Sequence, residues 1–142
     1  MKVIFDANII IGFLLTKGHI VSSIFDYWEG DAFTLIISDD ILEEYTQILK
    51  RLIDQGIINK YSANALLRKI LKKARKIKVV SKLKISLDKK DNRYLECAKD
   101  GKADYLVTRN KNHLLSLRKF KYTAIISAGK LLELLKSLDY RN

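Results

Sequence analysis

The fold turns on MKVIFDANIII, residues 1–11. Val3, Ile4 and Phe5 read as a short buried strand, and Ile9, Ile10 and Ile11 resume the apolar pattern as a helix would. Asp6 and Asn8 stand between them. A carboxylate taken out of water is expensive unless something pairs with it. Asp6 therefore either caps the helix that follows or faces a cation.

Beyond this opening, five short runs rich in β-branched and aromatic residues recur: KVIF (2–5), FTLII (33–37), IKVV (77–80), YLVT (105–108) and TAII (123–126). Helical patterns separate all of them, which argues for crossover units and a parallel sheet covered on both faces. The 142 residues contain no proline, no repeat and no low-complexity linker, so one α/β domain spanning 1–142 is expected. No apolar run approaches the ~20 residues of a membrane span. The first strand begins almost at Met1, which leaves no room for a signal peptide. The single cysteine, Cys97, suits a reducing cytoplasm and reads as a small buried apolar residue.

The helix after Ser38-Asp39-Asp40 carries a stripe of Ile41, Leu42, Tyr45, Ile48, Leu49, Leu52 and Ile53 at a period of 3.6 residues. This period places Glu43 in solvent and Glu44 at the border of the core. A second helix is expected over 62–76, with Leu66, Leu67, Ile70, Leu71 and Ala74 inward. In SLDKKDNRYLECAKDG (86–101), Asp88 suits an N-cap, Asp91 falls on the buried side of the first turn, and Gly101 is a terminator. Ser127 caps a last helix whose inward leucines run from Leu131 to Leu138.

Ligands of an open parallel sheet bind beyond the carboxyl ends of its strands. Asp6 and Asn8 follow the first strand, Ser38 and Glu44 the second, and Thr108, Asn110 and Asn112 the fourth; Asp91 opens the helix before the fourth. Asp6, Glu44 and Asp91 thus converge on one edge, where clustered carboxylates stay ionised most readily around a divalent cation. Hard oxygen ligands suit Mg²⁺ or Mn²⁺. Each acid also has a bland reading: helix cap, lysine partner, first-turn charge. The net charge of +11 points to polyanionic partners, nucleic acid or an acidic protein. From Gln55 to Leu87 there are ten Lys or Arg and no acid. Within this block Lys69, Lys72, Lys73 and Lys76 are the candidates to bind a polyanionic backbone, against the plainer reading of a solvated face.

The DxN of residues 6–8, SDDILEEY (38–45), DKKDNRYLECA (88–98) and ADYLVT (103–108) together resemble the PIN domain, in particular the toxin components of prokaryotic toxin–antitoxin pairs. The resemblance implies a three-layer α/β/α fold with a sheet of about five strands in the order 3-2-1-4-5. It also implies a metal-dependent ribonuclease with Asp6, Glu44 and Asp91 as catalytic metal ligands, Asn8 holding the first aspartate and Thr108 supplying a hydroxyl. An antitoxin partner and a homodimer follow from the same resemblance. The departure is at Asn110, an amide where many relatives carry a fourth acid. Asp104, the remaining candidate for that role, lies at the wrong end of the strand, roughly 13 Å away by strand geometry. A domain whose site has lost turnover, yet still binds RNA or an antitoxin, is the rival reading.

Overall fold

The computed structural model describes residues 1–15, 18–84, 89–109 and 114–141. The elements are β1 (Lys2–Phe5), α1 (Ala7–Leu15), α2 (His19–Glu29), β2 (Thr34–Ile37), α3 (Asp39–Asp54), α4 (Lys60–Lys73) and β3 (Arg75–Lys76). They continue with α5 (Lys89–Gly101), β4 (Tyr105–Val107), α6 (Leu114–Leu117), β5 (Lys119–Phe120), β6 (Thr123–Ile126) and α7 (Ala128–Arg141). The sheet order is β3-β2-β1-β4-β6-β5, parallel throughout except for the β5–β6 pair.

The sheet is buried on both faces because successive residues of β1 and β2 are apolar: Val3, Ile4 and Phe5, then Leu35, Ile36 and Ile37, are all buried. Val3 pairs with Leu35, so Phe5 and Ile36 point to opposite faces. On the Phe5 face sits an aromatic cluster: the Phe5 and Phe25 rings are 5.5 Å apart, Phe5 and Phe33 5.8 Å, and Phe25 and Trp28 5.9 Å. On the Ile36 face lies the end of α5, where Gly101 comes so close that an added Cβ would stand 2.8 Å from Ile36 Cδ1. No single helix among the described residues is long and apolar enough to cross a membrane.

The differences from expectation have local causes. The fifth expected strand is β6, and the sheet gains an antiparallel edge, β5, from residues 119–120. The strand expected over 77–80 is instead the two-residue β3 at Arg75–Lys76, after which only the Ile77 N–H continues to Ile37 O at 2.7 Å. The next donors turn to α5. Asp100 Oδ2 accepts the Val80 and Ser81 N–H groups at 2.7 and 2.8 Å, and Glu96 Oε2 accepts Leu83 N–H at 2.8 Å. Helix α4 ends three residues before position 76, and Leu71 and Leu138 are exposed rather than inward. Gly101 does not supply the left-handed turn that ends α5; Lys102 does, at φ 52°, and Gly101 is needed for the close approach to Ile36. Asp88, the expected cap of α5, lies outside the described residues. Ser127 caps α7 as expected, its Oγ accepting Lys130 N–H at 3.2 Å.

Candidate active site

Asp6 sits where β1 becomes α1, at the carboxyl edge of the sheet. Its N–H continues the ladder to Val107 O, and its carbonyl accepts Ile9 N–H, both at 2.9 Å. The carboxylate accepts the Thr108 hydroxyl at 2.6 Å and the N–H groups of Ala7 and Asn8. Asp6 is therefore a helix cap and also a buried acid, 7 % exposed. Burial pushes its pKa up, and the Thr108 and backbone hydrogen bonds oppose the rise without cancelling it. Asn8 supports Asp6 through its backbone N–H, while its side chain is exposed.

Glu44 is delivered by α3, whose amphipathic stripe buries Ile41, Tyr45 and Leu49. As the helical period requires, Glu43 is exposed and Glu44 is 7 % exposed. Ser38 contributes as the cap of this helix, its Oγ accepting Ile41 N–H at 3.2 Å. The Tyr45 hydroxyl donates to Phe5 O and pins α3 to the end of β1. Glu44 Oε2 is buried with no hydrogen-bond partner among the described residues. Burial raises the Glu44 pKa, the Tyr94 hydroxyl opposes that, and the Asp6 charge adds to it.

Tyr94 joins these two acids. Its buried hydroxyl accepts Ala7 N–H at 3.1 Å and lies within reach of both the Asp6 and Glu44 carboxylates, to one of which at a time its single proton is donated, opposing the rise of their pKa values. Its own pKa, like that of Tyr45, is driven far up, by burial first, so both phenols remain donors at working pH. Sequence reasoning missed both roles because tyrosines in an apolar stripe read as core. The available signal was the polar tip, which needs a partner once the ring is buried.

Asp91 is buried on α5 one turn before Tyr94, and Asn92 beside it is buried too. Thr108 is fully buried against Asp6. Asn110, Asn112 and His113 lie outside the described residues. Asp104 is not a fourth acid: it precedes β4 at the opposite edge, where its Oδ2 accepts Lys2 N–H at 2.8 Å. Cys97 is buried as expected, its thiol pushed up to about 12 chiefly by burial. Of the candidate RNA-binding lysines, Lys69 and Lys76 form ion pairs of 2.5 Å with Glu29 and Asp39, and Lys73 pairs with Asp31; Lys72 has no acidic partner within 4 Å among the described residues.

The fit to a divalent cation is partial. Two buried carboxylates with raised pKa values and an orphaned oxygen on Glu44 are the donor set of a hard cation. Among the described residues, however, no three Asp, Glu, His or Cys side chains stand close enough together to hold one.

No curated protein matches the sequence. The crystal structure of PAE2754 from Pyrobaculum aerophilum is similar to the fold at 18% identity and a TM-score of 0.63, covering 96% of this chain and 90% of that one. At that identity the likeness is one of fold. Residues 2–112 match the sequence profile of the family described as PIN domain. With the sheet order, the buried acids beyond β1 and β2 and this match over most of its length, the chain belongs to the PIN domain family, whose members are in general nucleases that use divalent metal ions.

Proposed function

We propose that the protein is a Mg²⁺- or Mn²⁺-dependent endoribonuclease that hydrolyses RNA phosphodiester bonds. It would act in the cytoplasm as the toxin of a toxin–antitoxin pair, as a homodimer held in check by an antitoxin protein. The observation that carries the catalytic reading is Glu44 Oε2, a buried carboxylate oxygen without a hydrogen-bond partner among the described residues, beside a second buried acid, Asp6. Such an atom costs stability in the isolated protein and is stabilised by a cation.

Asp6 and Glu44 would hold the ion, with Asp91, which does not stand close enough to form a three-acid group with them, drawn in on binding; when bound the ion supplies polarisation of the scissile phosphate and a water of lowered pKa. Thr108 fixes one oxygen of Asp6, and the α1 amides hold the same carboxylate in place. Tyr94 places one hydroxyl where it can donate to either Asp6 or Glu44. Glu44, whose pKa burial raises, or Asp91 would take the proton of the attacking water through an oxygen that does not hold the ion. For RNA, the pairing of Lys69, Lys73 and Lys76 with acids of the same chain reduces their field. Lys78, Lys82 and Lys84 are exposed and have no acidic partner within 4 Å among the described residues. They alternate outward on the extended segment that Asp100 and Glu96 tether, and would carry the larger share of the phosphate contacts.

A second reading, a domain that binds RNA or an antitoxin without turnover, is favoured by the absence of a three-acid group among the described residues. Incubating the purified protein with mixed RNAs, with and without Mn²⁺ and against Asp6→Asn, separates the two. Mn²⁺-dependent cleavage that disappears in the variant is the expected result. Mn²⁺ binding without cleavage, or neither, assigns the binding role.

A further inference from the structure

A cavity of about 520 Å³ lies away from the carboxylate edge. It opens at the other end of the sheet between the end of α5 and the β5–β6 turn, lined by Ala98, Lys99, Lys102, Lys121, Tyr122 and Thr123. Its volume is in the range that accommodates a small-molecule ligand. Three lysines, Lys99, Lys102 and Lys121, line it, and none has an acidic partner within 4 Å among the described residues. The acids nearby in the chain are engaged elsewhere: Asp100 holds Ser81 and Val80, and Asp104 holds Lys2 N–H. Asp100, next to Lys99 in the chain, feels the Lys99 charge, while Lys102 and Lys121 have no acidic partner within 4 Å among the described residues.

Lys99 and Lys102 have a bland account as cations at the negative end of the α5 dipole. That account does not reach Lys121 or Tyr122, which come from a different element. Lys121 holds a left-handed backbone at φ 52°, as Lys102 does, a conformation that side chains adopt at a cost and that glycine adopts freely. Its ammonium lies 5.7 Å from the centre of the Phe120 ring. Tyr122 is 94 % exposed, an aromatic face offered to solvent beside the cationic cluster. The floor makes no polar demand, since the Thr123 hydroxyl already donates to Ala103 O at 2.6 Å.

We propose that this cavity binds a nucleotide: its phosphates against Lys99, Lys102 and Lys121, its base stacked on Tyr122. Stacking of a base on an aromatic ring beside cations is the sequence-tolerant mode of nucleotide binding. The nucleotide comes either from free nucleoside diphosphate or from the 5′-phosphorylated end of an RNA. The site is separate from the acid edge and does not depend on cleavage.

The test is calorimetric titration of the whole protein with ADP, with a 5′-phosphorylated trinucleotide and with tripolyphosphate. Binding of ADP or of the trinucleotide is expected, the one that binds more tightly naming the source. Lys121→Gly should weaken it about tenfold by removing one ammonium group, while raising the melting temperature because glycine relieves the strained φ. A variant that is more stable yet binds less tightly separates a damaged ligand site from a damaged fold. Tyr122→Ala should weaken the nucleotides and leave tripolyphosphate unchanged, and Asp6→Asn should alter none of them. Absence of millimolar binding, or indifference of binding to Lys121→Gly, overturns the site. Equal affinity for tripolyphosphate with no response to Tyr122→Ala overturns the nucleotide assignment.

Discussion

The two ends of the same parallel sheet treat their acids in opposite ways. At the carboxyl end, Asp6 and Glu44 are buried, their pKa values are raised, and one oxygen of Glu44 has no hydrogen-bond partner among the described residues. At the amino end, Asp104 accepts a backbone N–H, while Asp100 accepts two and a serine hydroxyl, which hold its carboxyl below the usual range despite some desolvation. Both ends expose backbone donors, so the difference lies in what the acids are given. Those at the amino end are satisfied by the chain itself and act as fasteners. Those at the carboxyl end are buried, and one of their oxygens, Glu44 Oε2, has no donor among the described residues, which a fold tolerates at a cost and which a cation would reverse.

The strongest response should come from exchanging the two kinds of acid for amides. Asp6→Asn should lower Mn²⁺-dependent RNA cleavage by about a hundredfold or more, the loss associated with disturbing a metal site. Asp104→Asn should leave cleavage unchanged within error. Equal losses in the two variants would abolish the distinction between the ends.

Next in size is Tyr94→Phe, which removes the hydroxyl shared by Ala7 N–H, Asp6 and Glu44. Leaving buried polar groups unpaired costs about 1–3 kcal/mol, measurable by urea unfolding. Mn²⁺ affinity should fall about tenfold, as for the loss of a group that orients a metal ligand. A variant of unchanged stability would show that the tyrosine does not tie the two acids together.

The pH dependence of stability sharpens the same contrast. A carboxyl whose folded pKa is raised stabilises the fold fully below its unfolded pKa, and that contribution is lost as pH rises through the folded value. Asp6 and Glu44 thus make the metal-free protein less stable as pH rises above their ordinary values of 3.8 and 4.5. Asp100 works the other way: its contribution is present above 3.8 and lost as pH falls through its lowered folded pKa. Melting curves taken at rising pH from the ordinary carboxyl values of 3.8 and 4.5 upward should show the metal-free wild type losing stability relative to Asp6→Asn, with millimolar Mn²⁺ restoring it. Binding at a hundredfold excess over Kd adds about 2.7 kcal/mol. A melting temperature indifferent to Mn²⁺ would remove the reason for the orphaned oxygen.

The weakest responses belong to the basic surface. Exchanging Lys69 and Lys73 for Gln breaks exposed or half-exposed ion pairs, each a matter of ~0–1 kcal/mol. Their removal should barely change RNA affinity. Exchanging Lys78, Lys82 and Lys84 for Gln should lower the affinity and flatten its salt dependence by about 0.7 in log–log slope for each phosphate no longer neutralised. The reverse ranking would restore α4 as the RNA-binding face.

Much of what a single element encodes was legible in the residues alone, although the stripes of the fourth and last helices overreached at Leu71 and Leu138, which are exposed. Alternating strands and helices specify the parallel sheet; among the described residues it differs by the added antiparallel edge and by a third strand at 75–76 instead of 77–80. The 3.6-residue stripe put Glu44 at the core border and Glu43 in solvent, and the interruption after β1 marked Asp6 as a buried acid. These are local periodicities, and burial follows them because one side of each element must leave water. Everything that depends on partners distant in the chain was settled only by the folded molecule. Tyr94 meets Ala7 across 87 positions, and Lys69 and Lys73 meet Glu29 and Asp31 across 40 and 42. Asp100 and Glu96 take the donors that an IKVV strand would have given to the sheet. Periodicity states which face of an element is buried, but not which polar atom of another element waits there. A block without acids in sequence can therefore be neutralised in space, and a core tyrosine can hold two carboxylates.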